Sequence, residues 1–202
     1  MKKAREGTPV GSEDCLYLNI YAPRFTDTDV PKDAARLPVM LWIHGGGNTI
    51  GEAGFYNGGN LAAQQRVIVI TTNYRLGPFG WFRHAATRND GANELDRSGN
   101  FGTLDLVRAL QWIRENAAAF GGDPNNVTIF GESAGGTNVF SLLLSPPARG
   151  LFHRAIVESG GMQMSGNTVW PTVCDTITGG DASVRSEIYP RAAPMEFKTS
   201  TV

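Results

Sequence analysis

The sequence predicts an α/β fold, in which helices cover a mostly parallel sheet. Two short segments, residues 39–43 and 67–71, are almost wholly apolar, as strands are when both of their faces are covered. Helical patterns occupy residues 60–65, between these strands, and residues 103–120, after them. Strands that alternate with helices form parallel sheets through crossover connections. With 202 residues, 41% of them hydrophobic, the chain can bury one sizeable core, so we expect one domain.

Two further strands extend this sheet. Leu16, Leu18 and Ile20 alternate with polar or aromatic neighbours, which predicts a half-covered strand that ends at Pro23. A short apolar run at residues 155–158 predicts one more buried strand. The connections that we expect to be loops are residues 24–37, 73–80 and 83–100.

The longest helical pattern, residues 103–120, is amphipathic. Its apolar residues are spaced four, three and four apart, so they lie on one face; they are Leu106, Leu110, Ile113 and Ala117. Gly121 and Gly122 end the helix, since glycine readily adopts the backbone conformation that follows a helix. The pattern therefore predicts the crossover that leads into the next strand.

A serine lies at the corner between that strand and the helix after it. Residues 127–130 have the character of a buried strand, and the apolar positions after residue 138 predict a helix. Ser133 stands between them, with Gly131 and Gly135 at the G-x-S-x-G spacing. Glycines let the chain turn sharply enough to expose a hydroxyl at the carboxyl edge of a sheet. The pattern predicts a nucleophile elbow; the alternative is a structural turn whose serine only caps the helix.

Three consecutive glycines follow the first apolar strand. Gly45, Gly46 and Gly47 come directly after His44. Backbone N–H groups in such a loop approach a ligand closely and can stabilise the oxyanion of an acyl-transfer intermediate. The alternative is a flexible turn without a ligand.

Composition excludes several classes of function. The net charge is −1 and the basic residues are scattered, so we expect no nucleic-acid partner. No secretory leader and no apolar run of about 18 residues is present. We therefore expect a soluble protein, cytoplasmic by default, whose oligomeric state stays open.

The two cysteines and Arg75 have structural interpretations. Cys15 and Cys174 lack the density of a disulfide scaffold and the spacing of a zinc site, so we expect no metal and no other cofactor. Each cysteine is expected to be a small core residue rather than a catalyst. Arg75 is expected to form an ion pair or to clamp its loop rather than to bind an anion.

Five blocks of sequence together resemble the type-B carboxylesterases, which are relatives of the cholinesterases. The blocks are residues 12–19, 44–47, 73–75, 120–124 and 131–136. The resemblance spans roughly residues 10–163. It implies an α/β-hydrolase fold and the hydrolysis of small-molecule carboxylic esters through an acyl-enzyme.

The resemblance also implies roles for individual residues. Ser133 would be the nucleophile, and the amides of Gly46, Gly47 and Ala134 would form the oxyanion hole. Glu132 would line the site, where a carboxylate can orient water or a cationic group of the substrate. Relatives have a preceding segment that holds the usual partner of a cysteine at the Cys15 position.

The triad departs from the family pattern. In this fold the order along the chain is Ser, then Asp or Glu, then His. His153 is the only histidine after Ser133, and residues 134–152 contain no Asp or Glu. Since relatives are more than twice as long, we expect a truncated α/β-hydrolase. Residues 1–165 would be its amino-proximal part and residues 166–202 a divergent, poorly ordered tail. The alternative function is a non-catalytic or truncated family member that lacks the triad acid and histidine.

Overall fold

The structure, a computed structural model, describes residues 12–26, 28–84, 93–161 and 198–200. The strands are β1 (Tyr17–Tyr21), β2 (Leu37–Ile43), β3 (Ile68–Thr72), β4 (Gly122–Glu132), β5 (Arg154–Glu158) and β6 (Lys198–Ser200). The α-helices are α1 (Gly59–Gln65), α2 (Gly77–Gly80), α3 (Phe101–Asn116) and α4 (Ala134–Leu144). Short 3-10 helices are formed by Asp33–Ala35, Ala53–Phe55, Asp96–Ser98, Ala117–Phe120 and Pro146–Ala148.

These strands form one sheet in the order β5-β4-β2-β3-β1-β6. The central strands β3, β2, β4 and β5 are parallel to one another, β1 is antiparallel to β3, and β6 is parallel to β1. Helix α1 connects β2 to β3, α3 connects β3 to β4, and α4 connects β4 to β5. The predicted α/β class with a mostly parallel sheet is therefore confirmed.

The core lies between β2 and the apolar face of α3. Alternate residues of β2 are buried, from Leu37 to Ile43. The predicted helical face is buried too, with Leu106, Leu110 and Ile113 at most 1% exposed. Helix α3 ends at Asn116 and a tighter 3-10 turn completes the segment, so the amphipathic pattern ran one turn beyond the α-helix.

The prediction of two covered faces is correct for β3 and wrong for β2. All five residues of β3 are buried, whereas Met40 and Trp42 of β2 are partly exposed. Trp42 packs against the ring of Phe130, with centroids 4.9 Å apart, and against Tyr56 at 5.2 Å. Aromatic contacts, rather than a helix, shield that side of the strand.

Strand β5 does not match the predicted buried strand. Four of its five residues are exposed, including Ile156 at 43%. The reason is position: β5 is the last strand on its side of the sheet and pairs with β4 alone among the described strands. An apolar run indicates a strand, but it does not indicate whether a neighbour encloses that strand.

Arg75 forms the expected ion pair, on the loop that follows β3. Its Nη2 lies 2.7 Å from Asp105 Oδ1, while its Nε and backbone N–H donate to Oδ2 at 2.8 and 2.9 Å. The guanidinium also stacks over the ring of Phe101, 5.0 Å from its centroid. Asp105 is fully buried. Burial raises the pKa of this carboxyl, and Arg75 acts against that rise. The loop predicted at residues 73–80 contains the single-turn helix α2.

Cys15 is a free, exposed thiol just before β1, so the expectation of a core residue is wrong for it. The chain enters the sheet only at Tyr17, which leaves Cys15 at the surface. Cys174 lies outside the described residues.

Of the tail expected at 166–202, only Lys198–Ser200 is described, as the short strand beside β1. Across the described residues, no helix is long and apolar enough to cross a membrane.

Candidate active site

The carboxyl ends of β2 and β4 adjoin at the point where the direction of the strand order reverses. The chain leaves β2 toward β3 on one side of the sheet and leaves β4 toward β5 on the other. Open α/β sheets bind their ligands at such a switch point. Ile43 at the end of β2 is paired with Gly131 near the end of β4, so the loop after β2 meets the turn after β4.

Ser133 occupies that turn in a backbone conformation that residues other than glycine rarely adopt. Strand β4 ends at Glu132 and α4 begins at Ala134, with Ser133 between them at φ 55° and ψ −120°. The Ser133 N–H donates to Glu158 O at 2.8 Å, and its carbonyl accepts the N–H of Thr137 at 3.0 Å. The predicted strand-to-helix corner is therefore present, and strain of this kind clusters at functional sites.

The two glycines that flank Ser133, Gly131 and Gly135, are required because a side chain at either position would overlap the backbone. A Cβ on Gly135 would overlap Ile43 O and would lie 2.8 Å from His44 O. A Cβ on Gly131 would lie 2.6 Å from the carbonyl carbon of Gly135. The first turn of α4 therefore packs directly on the end of β2, which only a residue without a Cβ permits.

The glycine loop lies against the serine turn. A Cβ on Gly45 would be 2.8 Å from Glu132 O and 3.2 Å from Ser133 Cβ. Gly46 and Gly47 have φ values of 101° and 62°, which favour glycine. The Gly46 carbonyl accepts the N–H groups of two residues further along the loop, both at 3.1 Å.

Several backbone donors in this region have no acceptor within the described residues. Among them are the N–H groups of Gly46, Gly47 and Ala134. Gly46 and Gly47 belong to the loop after β2, and Ala134 is the first residue of α4. Free N–H groups at a helix start and in a glycine loop attract negatively charged oxygen. The binding of an oxyanion by these groups stays a prediction.

The ring of His44 is buried under this loop. It stacks on Tyr74 with centroids 4.4 Å apart, and its Nδ1 donates to Gly45 O at 2.8 Å. Since Nδ1 carries the proton, Nε2 is the unprotonated nitrogen, and it is buried without a hydrogen-bond partner among the described residues. Burial lowers the pKa of His44, so the ring is neutral at pH 7.

His153 has a structural role beside the middle of β4. Its Nδ1 accepts the N–H of Val127 at 3.1 Å, and its own N–H donates to Val127 O at 2.8 Å. Val127 precedes Ser133 by six residues, roughly 20 Å along a strand. In residues 12–26, 28–84 and 93–161, no side chain hydrogen-bonds to the Ser133 hydroxyl.

Two asparagines next to the site were missed by the sequence reasoning. Asn48, at the end of the glycine loop, and Asn138, on α4, pair through their side-chain amides. The available signal is weak: Asn138 is a polar residue directly before the buried apolar positions of α4, Val139 and Leu142. The site-lining candidate Glu132 is exposed, and its Oε2 would lie 3.1 Å from a Cβ on Gly45.

Comparisons with known proteins agree with this arrangement. Among curated proteins, the chain is 53% identical over 154 residues to para-nitrobenzyl esterase of Bacillus subtilis (strain 168), covering 75% of this chain and 29% of that protein. It is 54% identical over 149 residues to liver carboxylesterase of Sus scrofa, covering 74% and 24%. A solved structure of a thermophilic PNB esterase superposes with a TM-score of 0.63 at 52% identity, covering 76% of this chain and 29% of that one.

The chain thus spans about a quarter to a third of the length of these relatives. Their structures have the α/β-hydrolase fold that the resemblance implied, and the partial sheet described above is consistent with it. The carboxylesterase family model matches residues 1–171, which is most of the sequence. The serine turn and the glycine loop are thus features of a chain that belongs to the carboxylesterase family.

Proposed function

We propose that this chain carries the nucleophile and the oxyanion hole of a carboxylic ester hydrolase. One observation carries the proposal: the strained Ser133 lies at the sheet's switch point beside three N–H groups without an acceptor, those of Gly46, Gly47 and Ala134. The substrate class is a small-molecule carboxylic ester, as the names of the relatives suggest.

The reaction begins when Ser133 Oγ attacks the ester carbonyl carbon and its proton passes to a base. The carbonyl oxygen becomes an oxyanion, which the N–H groups of Gly46, Gly47 and Ala134 stabilise. Loss of one such donor typically costs about 3–4 kcal/mol of transition-state stabilisation. The alcohol then leaves with a proton, and water hydrolyses the acyl-enzyme to the acid and free Ser133.

The base is the part of this mechanism that the described residues leave unassigned. His153 is held at Val127, in the middle of β4, and no side chain in the described ranges bonds to the Ser133 hydroxyl. The three histidines of the sequence, His44, His84 and His153, are all among the described residues. We therefore propose that full turnover uses a histidine from outside this sequence, together with an acid. Without them, the oxyanion hole and binding alone would leave roughly a 10³–10⁴-fold advantage over water.

Intact-mass measurement after exposure to a fluorophosphonate probe tests the nucleophile. We expect one adduct per chain, formed slowly because no described side chain bonds to the Ser133 hydroxyl, and absent from Ser133→Ala. The matched control is Ser141→Ala, which removes a hydroxyl from the same helix, where it donates to Thr137 O at 3.2 Å. An adduct that persists in Ser133→Ala refutes the assignment. No adduct on a folded sample supports the alternative of a non-catalytic family member.

Glu132 is proposed to interact with positive charge on the substrate. Its carboxylate is exposed next to Ser133 and beside Gly45, so it can reach a group bound over the loop. With Glu132→Gln, we expect slower acylation by a cationic choline-type ester and an unchanged rate with a neutral ester of equal size. Equal slowing of both esters would contradict this role.

A further inference from the structure

We propose that Asn138 is a positioning residue that fixes the far end of the glycine loop to helix α4. It holds that end through the side chain of Asn48. This inference rests on the proposed function, because its consequence is the placement of the oxyanion donors.

The first anchor is a reciprocal pair of amides. Asn138 Nδ2 donates to Asn48 Oδ1 at 2.9 Å, and Asn48 Nδ2 donates to Asn138 Oδ1 at 3.3 Å. The two residues are 90 positions apart in the sequence, and Asn138 is only 2% exposed. A buried amide without partners is unfavourable, so each residue stabilises the position of the other.

The second anchor acts through Tyr74, which is 3% exposed. Its hydroxyl donates to the backbone carbonyl of His44 at 2.5 Å, at the start of the loop. Burial raises the pKa of Tyr74, so the hydroxyl keeps its proton at neutral pH. Tyr74 thus holds the start of the loop, and Asn138 holds its far end through Asn48.

The loop between the anchors requires such support. Gly46 and Gly47 have positive φ values and a large conformational freedom that ordering must remove. Asn48 itself has a φ of 56°, and its carbonyl accepts the N–H of Gly77 at 2.6 Å. An oxyanion donor acts only when it is in place before the charge develops. Fixing the Asn48 end to α4, while Tyr74 holds the His44 end, keeps the loop donors aligned with Ser133 and Ala134.

Single and double variants test the inference. We compare Asn48→Ala, Asn138→Ala and the double variant by their rates of phosphonylation by the fluorophosphonate and by amide hydrogen exchange of peptides covering residues 44–50. Each single variant should lower the maximal phosphonylation rate by about 10- to 100-fold, as small misplacements do, and leave the half-saturating probe concentration unchanged. Exchange in residues 44–50 should accelerate in both, and the double variant should resemble either single one.

The matched control is Asn116→Ala, which removes a hydrogen bond to Trp112 O at 2.8 Å at the end of α3. It should lower the stability of the chain. For each folded molecule, neither the phosphonylation rate nor the hydrogen exchange of residues 44–50 should change. The inference would be overturned if the loss of phosphonylation rate in the double variant equalled the product of the two single losses. Unchanged hydrogen exchange in residues 44–50 would overturn it too. If the unmodified chain takes no probe, the proposed function fails, and hydrogen exchange alone decides whether Asn138 orders the loop.

Discussion

Removing the carboxylate of Asp105 should be the most damaging single change to the ion pair on the loop after β3. In Asp105→Ala, the Arg75 guanidinium loses its bonds to this carboxylate, and the Arg75 backbone N–H loses the same acceptor. Breaking a buried pair from one side costs about 3–5 kcal/mol. Because the Arg75 side chain is 23% exposed and water can reach it, we expect the lower value, about 3 kcal/mol. For a chain of this size, that lowers Tm by roughly 6–12 °C.

Calorimetry and urea unfolding measure this effect, and Glu115→Ala is the control. The Glu115 carboxylate lies 3.7 Å from Arg108, with side chains 56% and 35% exposed, so its loss should cost less than about 1 kcal/mol. A double variant, Arg75→Met with Asp105→Leu, should recover more than half of the loss, because no unpaired charge remains. Equal effects of Asp105→Ala and Glu115→Ala, or a double variant weaker than Asp105→Ala, would refute the reasoning.

Three further changes have defined outcomes. Burial lowers the pKa of His44 below its ordinary value of 6.5, so the unfolded chain binds a proton that the folded chain does not. The free energy of unfolding should therefore fall between about pH 7 and pH 5, and less steeply in His44→Gln. Gly135→Ala should cost about 3 kcal/mol or more of stability by overlap with backbone. Gly54→Ala, whose Cβ would meet nothing closer than 3.8 Å, should unfold like the unmodified chain. Partial burial and nearby carboxylates raise the pKa of Cys15. In a Cys174→Ser background, iodoacetamide should therefore alkylate Cys15 more slowly at about pH 8 than it alkylates free cysteine.

Local patterns were enough to predict the elements that form the candidate site. The spacing of Leu106, Leu110 and Ile113 predicted the buried face of α3, because helical periodicity depends only on neighbours in the sequence. The glycines at 131 and 135 predicted the sharp turn at Ser133, and the structure adds the carbonyl of Ile43 as the steric reason. The roles proposed for the turn and the loop stay predictions until acylation is measured.

Features set by distant parts of the chain were not predictable in this way. The exposure of β5 depends on which strand neighbours it, and the apolar run at 155–158 contains no such information. The pairing of Asn48 with Asn138 joins residues 90 positions apart, and a lone asparagine on a helix does not indicate its partner. Cys15 illustrates the same limit, because its burial depended on where the chain enters the sheet.

The hydrogen bond from the Ser133 N–H to Glu158 O links the reactive turn to the least buried strand of the parallel sheet. Helix α4 approaches the same strand end so closely that a Cβ on Gly136 would lie 3.0 Å from that carbonyl oxygen. Stability is lowest where few contacts protect the backbone, so transient opening begins more readily at β5 than in the core. The geometry of Ser133 is therefore coupled to the order of β5, which pairs with β4 alone among the described strands. A chain segment that pairs with the other side of β5 would suppress that opening and hold the serine turn more firmly, without touching the substrate.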